Sequence, residues 1–500
     1  MTHPPTAWWQ TATVYQIYPR SFADSNGDGV GDIPGIISKL DYLRDLGIRL
    51  IWLSPICASP MRDNGYDISD YQAIAPEFGT LADFDRLVAE AKARGIGILL
   101  DLVVNHTSDQ HRWFREARAG RDNPYRDYYV WRDPAPDGGP PNALQSTFGG
   151  PAWTLDPASG QYWFHQFAPQ QPDLNWTNPA VRAEVYAMMR WWIARGIAGF
   201  RMDVINLIAK EPDRLITADG PRLHDYLREM HREALAGHDL VTVGESWSAT
   251  PETALLYSGR DRHELTMVFQ FEHVMQQWHE VWGKWQPKPF DLVAFKQVIG
   301  RWQITLADDG WNSLFWGNHD LPRAVSKYGD DTGYRVQSAK MLATVLHFLR
   351  GTPYVYQGEE IGMTNVPFTA ISQFRDIETL NMHRLHLEAG LPETDFIAGA
   401  NANGRDNSRT PMQWNDGPQA GFTTGTPWIE VNPNHDRINV AAAAQDPDSV
   451  LAHYQRLIRL RCELPIVVHG RFESWFDEHP DVMAYTRTLD TQTLFVVANF

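Results

Sequence analysis

The chain has 500 residues, of which 43% are hydrophobic and 21% charged, which is typical of an ordinary globular protein. Its net charge of −17 disfavours nucleic acid and anionic membranes as partners, because phosphate binding needs clustered Lys and Arg. Two cysteines, Cys57 and Cys462, are too few for a disulfide framework or a structural zinc site. The first ten residues lack the features of a secretory signal, and no apolar run approaches the roughly 20 residues of a membrane span. We therefore expect a cytoplasmic protein.

Eight short apolar runs recur along the chain, and most of them precede an amphipathic stretch of helical period. The runs lie at 14–18, 49–54, 97–104, 196–205, 240–245, 266–271, 312–317 and 352–357, and the clearest helical stretches lie at 81–95, 181–196 and 336–351. The alternation predicts a parallel sheet, and eight strands close a (β/α)8 TIM barrel. A doubly wound open sheet is the competing architecture. We expect Arg-Gly pairs to end the last two helices.

Two segments depart from this alternation. The interval from Val104 to Gly196 is far longer than one crossover helix requires, which predicts a small inserted domain over the barrel mouth after strand 3. After about residue 470, short alternating segments predict a C-terminal antiparallel β domain, and Phe500 lies inside a strand-like run, which leaves open whether this domain is complete. The predicted organisation is a catalytic barrel (1–105 and 175–468), an inserted domain (106–174) and a C-terminal β domain (469–500).

Acidic residues follow three of the predicted strands, where the active sites of barrels lie. They are Asp203 after GFRM, Glu245 after VTVG, and Asp320 in NHD. One such residue would be read as a helix cap or a solvated loop residue, but three favour catalysis. A pair in which one carboxylate attacks and the other donates a proton predicts glycoside hydrolysis. Arg201 shares a strand face with Asp203, and we expect its charge to lower the pKa of Asp203.

The segments DLVVNH, GFRMD, GE and NHD, with GYD at 65–67 and QPDLN at 171–175, resemble the signatures of the α-amylase superfamily of glycoside hydrolases, family 13. The resemblance covers essentially the whole chain. It implies that Asp203 is the nucleophile, Glu245 the general acid/base and Asp320 the transition-state stabiliser. It also implies contacts around the cleaved glucose from Asp63, Tyr66, His106, Phe148, Phe167, Arg201, His319 and Arg405, with Arg405 rather than Arg409 pairing with Asp63.

Within the superfamily the chain is most similar to oligo-1,6-glucosidases and dextran glucosidases, through GFRMDVIN, GESW, MVFQFEH and RTPMQW. The resemblance implies a retaining, exo-acting α-glucosidase that cleaves α-1,6 bonds at the non-reducing end of isomaltose-type oligosaccharides. A valine at the position of Val204 accompanies that linkage preference in such enzymes; the alternative is an ordinary strand valine that faces the core. Lys284 and Glu378 occupy positions that resemble acceptor-sugar contacts.

Several alternatives on the same scaffold stay open: an α-1,4-glucosidase, a trehalose-6-phosphate hydrolase, and a sucrose isomerase or transglucosidase. The charge of −17 disfavours a phosphate pocket, and residues 321–325 read LPRAV where sucrose isomerases carry an Arg-rich loop. The presence of all three acids disfavours a non-catalytic homologue.

The segment from Asp24 to Asp32 places oxygen-bearing side chains at alternate positions, like the first half of a calcium loop. Gly35 stands where an EF-hand needs Glu and no helix pair flanks the loop, so we do not expect an EF-hand, and an Asx-rich turn without an ion is the alternative. Related glucosidases hold one ion here, which implies one structural Ca²⁺ (or Mg²⁺) and no organic cofactor. Its ligands would be Asp24, Asn26, Asp28, Asp32 and the carbonyl of Val30. For assembly, we expect a monomer or weak homo-oligomer acting on a small oligosaccharide.

Overall fold

A computed structural model describes residues 6–500. Its strands are β1 (Val14–Ile17), β2 (Leu50–Leu53), β3 (Cys57–Ala58), β4 (Asp70–Ile74), β5 (Gly97–Leu102), β6 (Trp131–Arg132), β7 (Trp153–Asp156), β8 (Gln161–Phe164), β9 (Gly199–Met202), β10 (Val241–Glu245), β11 (Met267–Phe269), β12 (Ser313–Leu314), β13 (Thr352–Tyr356), β14 (Arg471–Trp475), β15 (Val482–Leu489) and β16 (Gln492–Asn499).

The α-helices are α1 (Ile33–Ser38), α2 (Leu40–Leu46), α3 (Leu81–Ala93), α4 (Arg112–Ala119), α5 (Pro179–Ala194), α6 (Leu223–Met230), α7 (Pro251–Ser258), α8 (Glu272–Met275), α9 (Leu292–Thr305), α10 (Ala324–Tyr328), α11 (Arg335–Phe348), α12 (Ile377–Glu388), α13 (Glu393–Asn403), α14 (Asp406–Arg409), α15 (Val440–Gln445), α16 (Val450–Glu463) and α17 (Pro465–His469). None of the helices within residues 6–500 combines the length and apolarity needed to cross a bilayer.

The eight predicted strands form one parallel sheet in the order β11-β10-β9-β5-β2-β1-β13-β12. Its two outer strands meet through one parallel bridge between Val268 and Asn312, which closes the sheet. The predicted (β/α)8 barrel is confirmed, and the open-sheet alternative is wrong.

Residues of the barrel strands alternate between two hydrophobic cores, as the two-residue period of a strand requires. Val14, Leu50 and Leu99 pack inside the barrel. Their neighbours Tyr15 and Ile51 face outward and pack in the larger core. Both faces of the sheet are therefore covered, which explains why these strands read as continuous apolar runs.

The three predicted helices correspond to α3, α5 and α11. Of the two Arg-Gly pairs expected to end a helix, only the one after α5 does so. The left-handed Gly196 (φ +88°) follows α5, as expected. Helix α11 ends at Phe348, and Leu349 is already extended, so the prediction that Arg350-Gly351 stops this helix is wrong. Gly351 instead allows the chain to enter β13 beside Asn312, because a Cβ there would lie 2.6 Å from the Asn312 carbonyl oxygen.

The two segments outside the alternation carry antiparallel sheets. Between β5 and β9 lie α4 and the three-stranded sheet β6-β8-β7. The C-terminal strands form the antiparallel sheet β14-β15-β16, which confirms the predicted class of this segment. It packs on the barrel through Tyr485, whose hydroxyl donates to the Val345 carbonyl at 2.7 Å. The domain boundaries given above stay a prediction.

Candidate active site

One guanidinium, that of Arg201, lies at the centre of the site. Its Nη1 donates to Asp101 and to Asp203, each at 2.8 Å, and its Nη2 donates to Glu245 at 2.5 Å. The fold dictates this convergence, because Asp101 on β5 is in register with Arg201 on β9, and Glu245 ends the next strand. Arg201 is 1% exposed, so these contacts are shielded from solvent. The structure thus brings together the two acids predicted to form the catalytic pair.

The pKa of Asp203 is raised. Burial is the main cause; the charge of Arg201 opposes it, while the carboxylates of Glu245 and Asp101 raise this pKa further. The expectation that Arg201 would leave Asp203 with a lowered pKa is wrong, because one cation is shared by three buried carboxyl groups. Burial likewise raises the pKa of Asp101 to about 6. The group around Arg201 therefore favours retaining a proton near neutral pH, which a nucleophile and acid pair requires.

The two oxygens of Glu245 have different partners. Oε2 accepts the Arg201 bond and a second bond from the Val204 main-chain N–H at 3.0 Å. Oε1 accepts the indole N–H of Trp247 at 2.8 Å. Val204 lies beyond the end of β9 in a left-handed conformation (φ +34°, ψ +46°), so the alternative that it is a strand valine is wrong.

Asp320 is held by cations from the C-terminal part of the barrel. Arg409 donates to it at 2.8 Å and Arg405 at 3.2 Å, and His319 Nε2 lies 3.3 Å from its second oxygen. Burial alone would raise the pKa of Asp320, but His319 when protonated, Arg405 and Arg409 lower it well below its usual range. Burial lowers the pKa of His319 to about 3, so this ring is neutral at neutral pH.

A second ionic group lies farther from the catalytic pair. Arg405 pairs with Asp63 at 3.2 Å and with Asp376 at 2.5 Å. The pairing of Arg405 with Asp63 is the one that the family resemblance implied. Burial raises the pKa of Asp63 to about 7, against the opposing charge of Arg405. Asp376 is fully buried and caps α12; sequence reasoning missed it, because it belongs to none of the signature segments.

These groups surround a cavity of about 610 Å³. Two of the predicted contacts, Arg201 and His319, are buried and support side chains that form its wall. The other predicted catalytic and substrate residues line the cavity: Asp63, Tyr66, His106, Phe148, Phe167, Asp203, Val204, Glu245, Lys284, Asp320, Glu378 and Arg405.

Aromatic rings form much of the remaining wall. From the inserted segment, Phe148 and Phe167 lie with ring centroids 5.3 Å apart, and Phe167 also contacts His106 at 5.2 Å. The segment after β11, which comprises α8 and the loop that follows it, contributes several large side chains that sequence reasoning missed, because large apolar residues also fill cores and only the fold shows which of them face a cavity. They are Met275, Trp278, Val281, Trp282 and Trp285.

The two predicted acceptor contacts form an ion pair. Lys284 Nζ lies 2.6 Å from Glu378 Oε2, and Arg405 Nε lies 3.4 Å from the same oxygen. Both cationic side chains lining the cavity are therefore matched by carboxylates.

The loop from Asp24 to Asp32 is ordered by its own hydrogen bonds. The side chains of Asp24, Asn26 and Asp28 each accept the main-chain N–H two residues on, at 2.8–2.9 Å. Asp32 caps α1 through the Gly35 N–H and also accepts from Ser25. Over residues 6–500, no group of three or more His, Cys, Asp or Glu side chains is arranged to hold a metal ion. The loop as it stands is an Asx-turn array.

A closed parallel barrel with three acids and an arginine at the carboxyl ends of its strands, beside an aromatic cavity, defines a carboxylate-dependent glycoside hydrolase. The family description "Alpha amylase, catalytic domain" matches residues 16–470. The chain belongs to this family, glycoside hydrolase family 13.

Relatives of the chain align over almost its whole length. It is 59% identical to a palatinase of Erwinia rhapontici, covering 99% of this chain and 90% of that one. It is 54% identical to an oligo-1,6-glucosidase of Halalkalibacterium halodurans, covering 99% and 91% respectively. Among solved structures, trehalose-6-phosphate hydrolase of Bacillus licheniformis is similar with a TM-score of 0.94 and 50% identity, covering 99% of this chain and 91% of that one.

Proposed function

We propose that the protein is a retaining, exo-acting α-glucosidase that hydrolyses α-1,6-glucosidic bonds at the non-reducing end of isomaltose-type oligosaccharides. The observation that carries this proposal is the single guanidinium of Arg201 that holds both Asp203 and Glu245. Both acids line one cavity and share one planar cation, which keeps the two carboxyl groups close. A short separation of about 5–5.5 Å is what retention requires, since inversion needs room for a water between the acids.

The reaction proceeds in two steps. The Asp203 carboxylate attacks C1 of the terminal glucose, the bond from C1 to the glycosidic oxygen breaks, and Glu245 gives its proton to that oxygen. The acceptor sugar leaves with a free hydroxyl, and glucose stays bound to Asp203 as an ester. Water then attacks C1, Glu245 takes its proton, and the ester bond breaks. Glucose leaves in the α configuration and both carboxyl groups return to their first state.

Exo action is supported by the ionic group around Arg405. Arg405 and its partner Asp63 lie at the cavity wall, beside Phe148, whose ring is 5.0 Å from the Arg405 guanidinium, and the buried Asp376 holds Arg405 from behind. Charged, fixed hydrogen-bonding groups of this kind suit the hydroxyls of a terminal sugar ring. We propose that this end of the cavity binds the non-reducing glucose, and that the loop with Trp278 and Trp282 faces the acceptor.

The α-1,6 preference is supported by Val204 at the cavity wall and by the oligo-1,6-glucosidase relative. A trehalose-6-phosphate hydrolase is less well supported, although relatives from two Bacillus species have that name, because Lys284 and Arg405 are already paired with carboxylates. A sucrose isomerase is less well supported too, since Arg323 of the LPRAV segment is buried and donates to the Gln357 carbonyl.

Product analysis tests the proposal. The protein is incubated separately with isomaltose, maltose, sucrose, trehalose and trehalose 6-phosphate, and the products are identified. We expect glucose, released fastest from isomaltose, with the α-anomer appearing first by NMR before mutarotation. Release of the β-anomer first would overturn the retaining mechanism, and isomaltulose formed from sucrose would overturn the hydrolytic assignment.

Replacement of the acids tests their roles directly. Asp203→Asn removes the nucleophile and Glu245→Gln removes the transferable proton, while each keeps the side-chain volume. We expect each variant to lose at least about 100- to 10,000-fold in kcat on isomaltose, because each step depends on that one group. Unchanged circular dichroism serves as the control for folding. Near wild-type turnover by either variant would exclude the role assigned to that acid.

We also propose that the loop from Asp24 to Asp32 takes up one Ca²⁺ or Mg²⁺. Support comes from the oxygen ligands at alternate positions and from the main-chain bonds that order the loop. Uptake would require Asp32 to exchange its bonds to Ser25 and Gly35 for the ion. The ion would stabilise the loop after β1 and take no part in the reaction.

For setting and assembly, we propose a cytoplasmic enzyme that acts as a monomer or weak homo-oligomer. The two thiols, Cys57 and Cys462, are unpaired, which suits a reducing compartment. Size-exclusion chromatography with light scattering at several concentrations tests the assembly, and a stable tetramer would contradict it.

A further inference from the structure

The environment of Glu245 distinguishes its two oxygens. Oε2 accepts two bonds, from the Arg201 guanidinium and the Val204 N–H. A proton on Oε2 would lie against a cation 2.5 Å away, so this oxygen carries the negative charge when the group ionises. Among residues 6–500, Oε1 accepts only the neutral indole N–H of Trp247. The transferable proton therefore belongs on Oε1.

The indole that contacts Oε1 is itself fixed by packing. Trp247 stacks on Phe271 with ring centroids 3.9 Å apart and planes 11° from parallel, and Trp278 lies 5.5 Å away on the same wall. Phe271 is 1% exposed, so the stack rests on the barrel core. Trp247 and Glu245 both line the cavity. A rigid donor thus holds Oε1 beside the space where the glycosidic oxygen must lie.

We infer that Trp247 is a positioning residue that fixes Oε1 of Glu245 as the oxygen that delivers the proton to the leaving group. The inference rests on the proposed function, in which Glu245 is the general acid. Indole suits this role because its N–H can donate a hydrogen bond but has no lone pair to accept one. It can orient Oε1 without taking the proton, whereas a histidine or tyrosine at this position could compete for it.

In the first step of the reaction, the Oε1–H bond breaks as the proton moves to the glycosidic oxygen, and the C1–O bond breaks at the same time. The charge left on Glu245 is stabilised by Arg201 and Val204 at Oε2 and by Trp247 at Oε1. In the second step, Oε1 recovers a proton from the attacking water. Trp247 therefore assists the transfer of this proton in both steps and does not assist formation of the bond between Asp203 and C1.

Trp247→Phe tests the inference, because phenylalanine can keep the stack on Phe271 but has no N–H. The measurement is kcat/KM on isomaltose and on 2,4-dinitrophenyl α-glucoside, whose leaving group departs without a proton. We expect a loss of about 10- to 100-fold on isomaltose, since misplacing a reacting group by about 1 Å costs on the order of 100-fold. We expect a change within about twofold on the aryl glucoside, because the acid contributes little there.

The pH profile gives a second readout. Loss of the indole donor destabilises the ionised form of the acid, so the alkaline limb of kcat/KM on isomaltose should move to higher pH. Trp302→Phe is the matched control, because its indole in α9 donates to Glu272 of α8 at 2.6 Å, an equivalent bond between two residues that do not line the cavity. This control should leave both substrates and the pH profile unchanged.

Glu245→Gln separates the inference from the proposed function. Equal loss on both substrates by Trp247→Phe, with an unmoved alkaline limb, would overturn the positioning role and leave Trp247 as a wall of the cavity. A Glu245→Gln variant that keeps full kcat/KM on isomaltose would instead overturn the assignment of the acid itself. If Glu245→Gln loses isomaltose alone and Trp247→Phe changes neither substrate, only the inference fails.

Discussion

At residue 204 the main chain adopts a left-handed conformation that β-branched side chains rarely take. Such a conformation costs on the order of 1–3 kcal/mol and persists only where the surroundings enforce it. Here the turn after Asp203 aims the Val204 N–H at Glu245, 3.0 Å away, and places the side chain at the cavity wall. The main-chain N–H of Val204 therefore binds the catalytic pair through Glu245. Its side chain faces the cavity, where it can affect which glycosidic linkage is preferred.

Val204→Thr separates those two contributions, because threonine is also β-branched and bears the same backbone strain. We expect the hydroxyl to favour an α-1,4-linked acceptor and the loss of apolar surface to disfavour the α-1,6 pose. One such contact is worth about 1–3 kcal/mol, or roughly 10–200-fold in discrimination. The measurement is the ratio of kcat/KM on isomaltose to that on maltose. A ratio within about twofold of wild type, below the effect of one such contact, would make residue 204 a packing residue only.

Residue-scale prediction from sequence locates side chains best where the chemistry lies at or just beyond a strand end. Asp203 directly follows β9, Glu245 is the last residue of β10, and Asp320 lies in the loop after β12, so the barrel rule alone places them at one mouth. The aromatic residues after β11 reach the cavity, and Asp376 reaches the cavity-lining Arg405, from segments whose path depends on packing across the whole barrel. The left-handed turn at Val204 was also unpredictable, because nothing in a valine marks a positive φ.

At the scale of elements, apolar runs predicted every barrel strand, but not how the last pair would meet. Strands β11 and β12 are only three and two residues long, and one bridge joins them. A hydrophobic run shows that a segment is buried, whereas pairing length depends on where the chain must turn. Gly351 illustrates the same limit: it resembles a helix stop, but the close approach to Asn312 is what requires glycine.

The loop after β1 gives a prediction at this scale. If it binds Ca²⁺ only in the folded state, the ion adds about 2.7 kcal/mol to the free energy of unfolding at 100 times its Kd. Melting temperature measured in EDTA and with added Ca²⁺ or Mg²⁺ should therefore differ. Asp28→Asn should reduce this difference in melting temperature. Asp28 is distant in sequence from the residues assigned to catalysis and has no part in the proposed reaction. Identical melting curves in all three conditions would identify the loop as an Asx turn that binds no ion.

At the scale of the whole molecule, α11 is a helix of the barrel that contacts the C-terminal sheet. Tyr485 and Arg487 of β15 donate to the carbonyls of Val345 and Phe348 at 2.7 and 2.8 Å. On the other side, Arg461 of α16 donates to the His347 carbonyl at 3.0 Å. Because the last carbonyls of one helix accept from both neighbours, disruption of α11 should unfold the barrel and the terminal sheet together.

His347, near the end of α11, makes the stability of this contact region sensitive to acid. The ring is fully buried, its Nδ1 donates to the Ala343 carbonyl at 2.8 Å, and its Nε2 has no hydrogen-bond partner within the described residues. Protonation would place an unpaired N–H and a positive charge there, near Arg461. Burial, with Arg461 as a lesser cause opposed by the Ala343 bond, lowers the pKa of His347 to about 3. The unfolded chain therefore binds this proton more readily than the folded one.

His347→Gln should weaken the acid dependence of stability, because glutamine can donate to the same carbonyl but does not titrate in this range. The contribution of His347 is present above pH 6.5 and is lost as the pH falls from 6.5 toward 3, by about 1.36 kcal/mol per pH unit. Urea unfolding is measured for both proteins between pH 7.5 and 4.5. At pH 7.5 the free energies of unfolding of wild type and His347→Gln differ only by the packing contacts that are lost when glutamine replaces the imidazole ring. Below pH 6.5 wild type should lose stability faster, so the two curves converge; parallel curves would show that the folded protein protonates His347 as readily as the unfolded chain does.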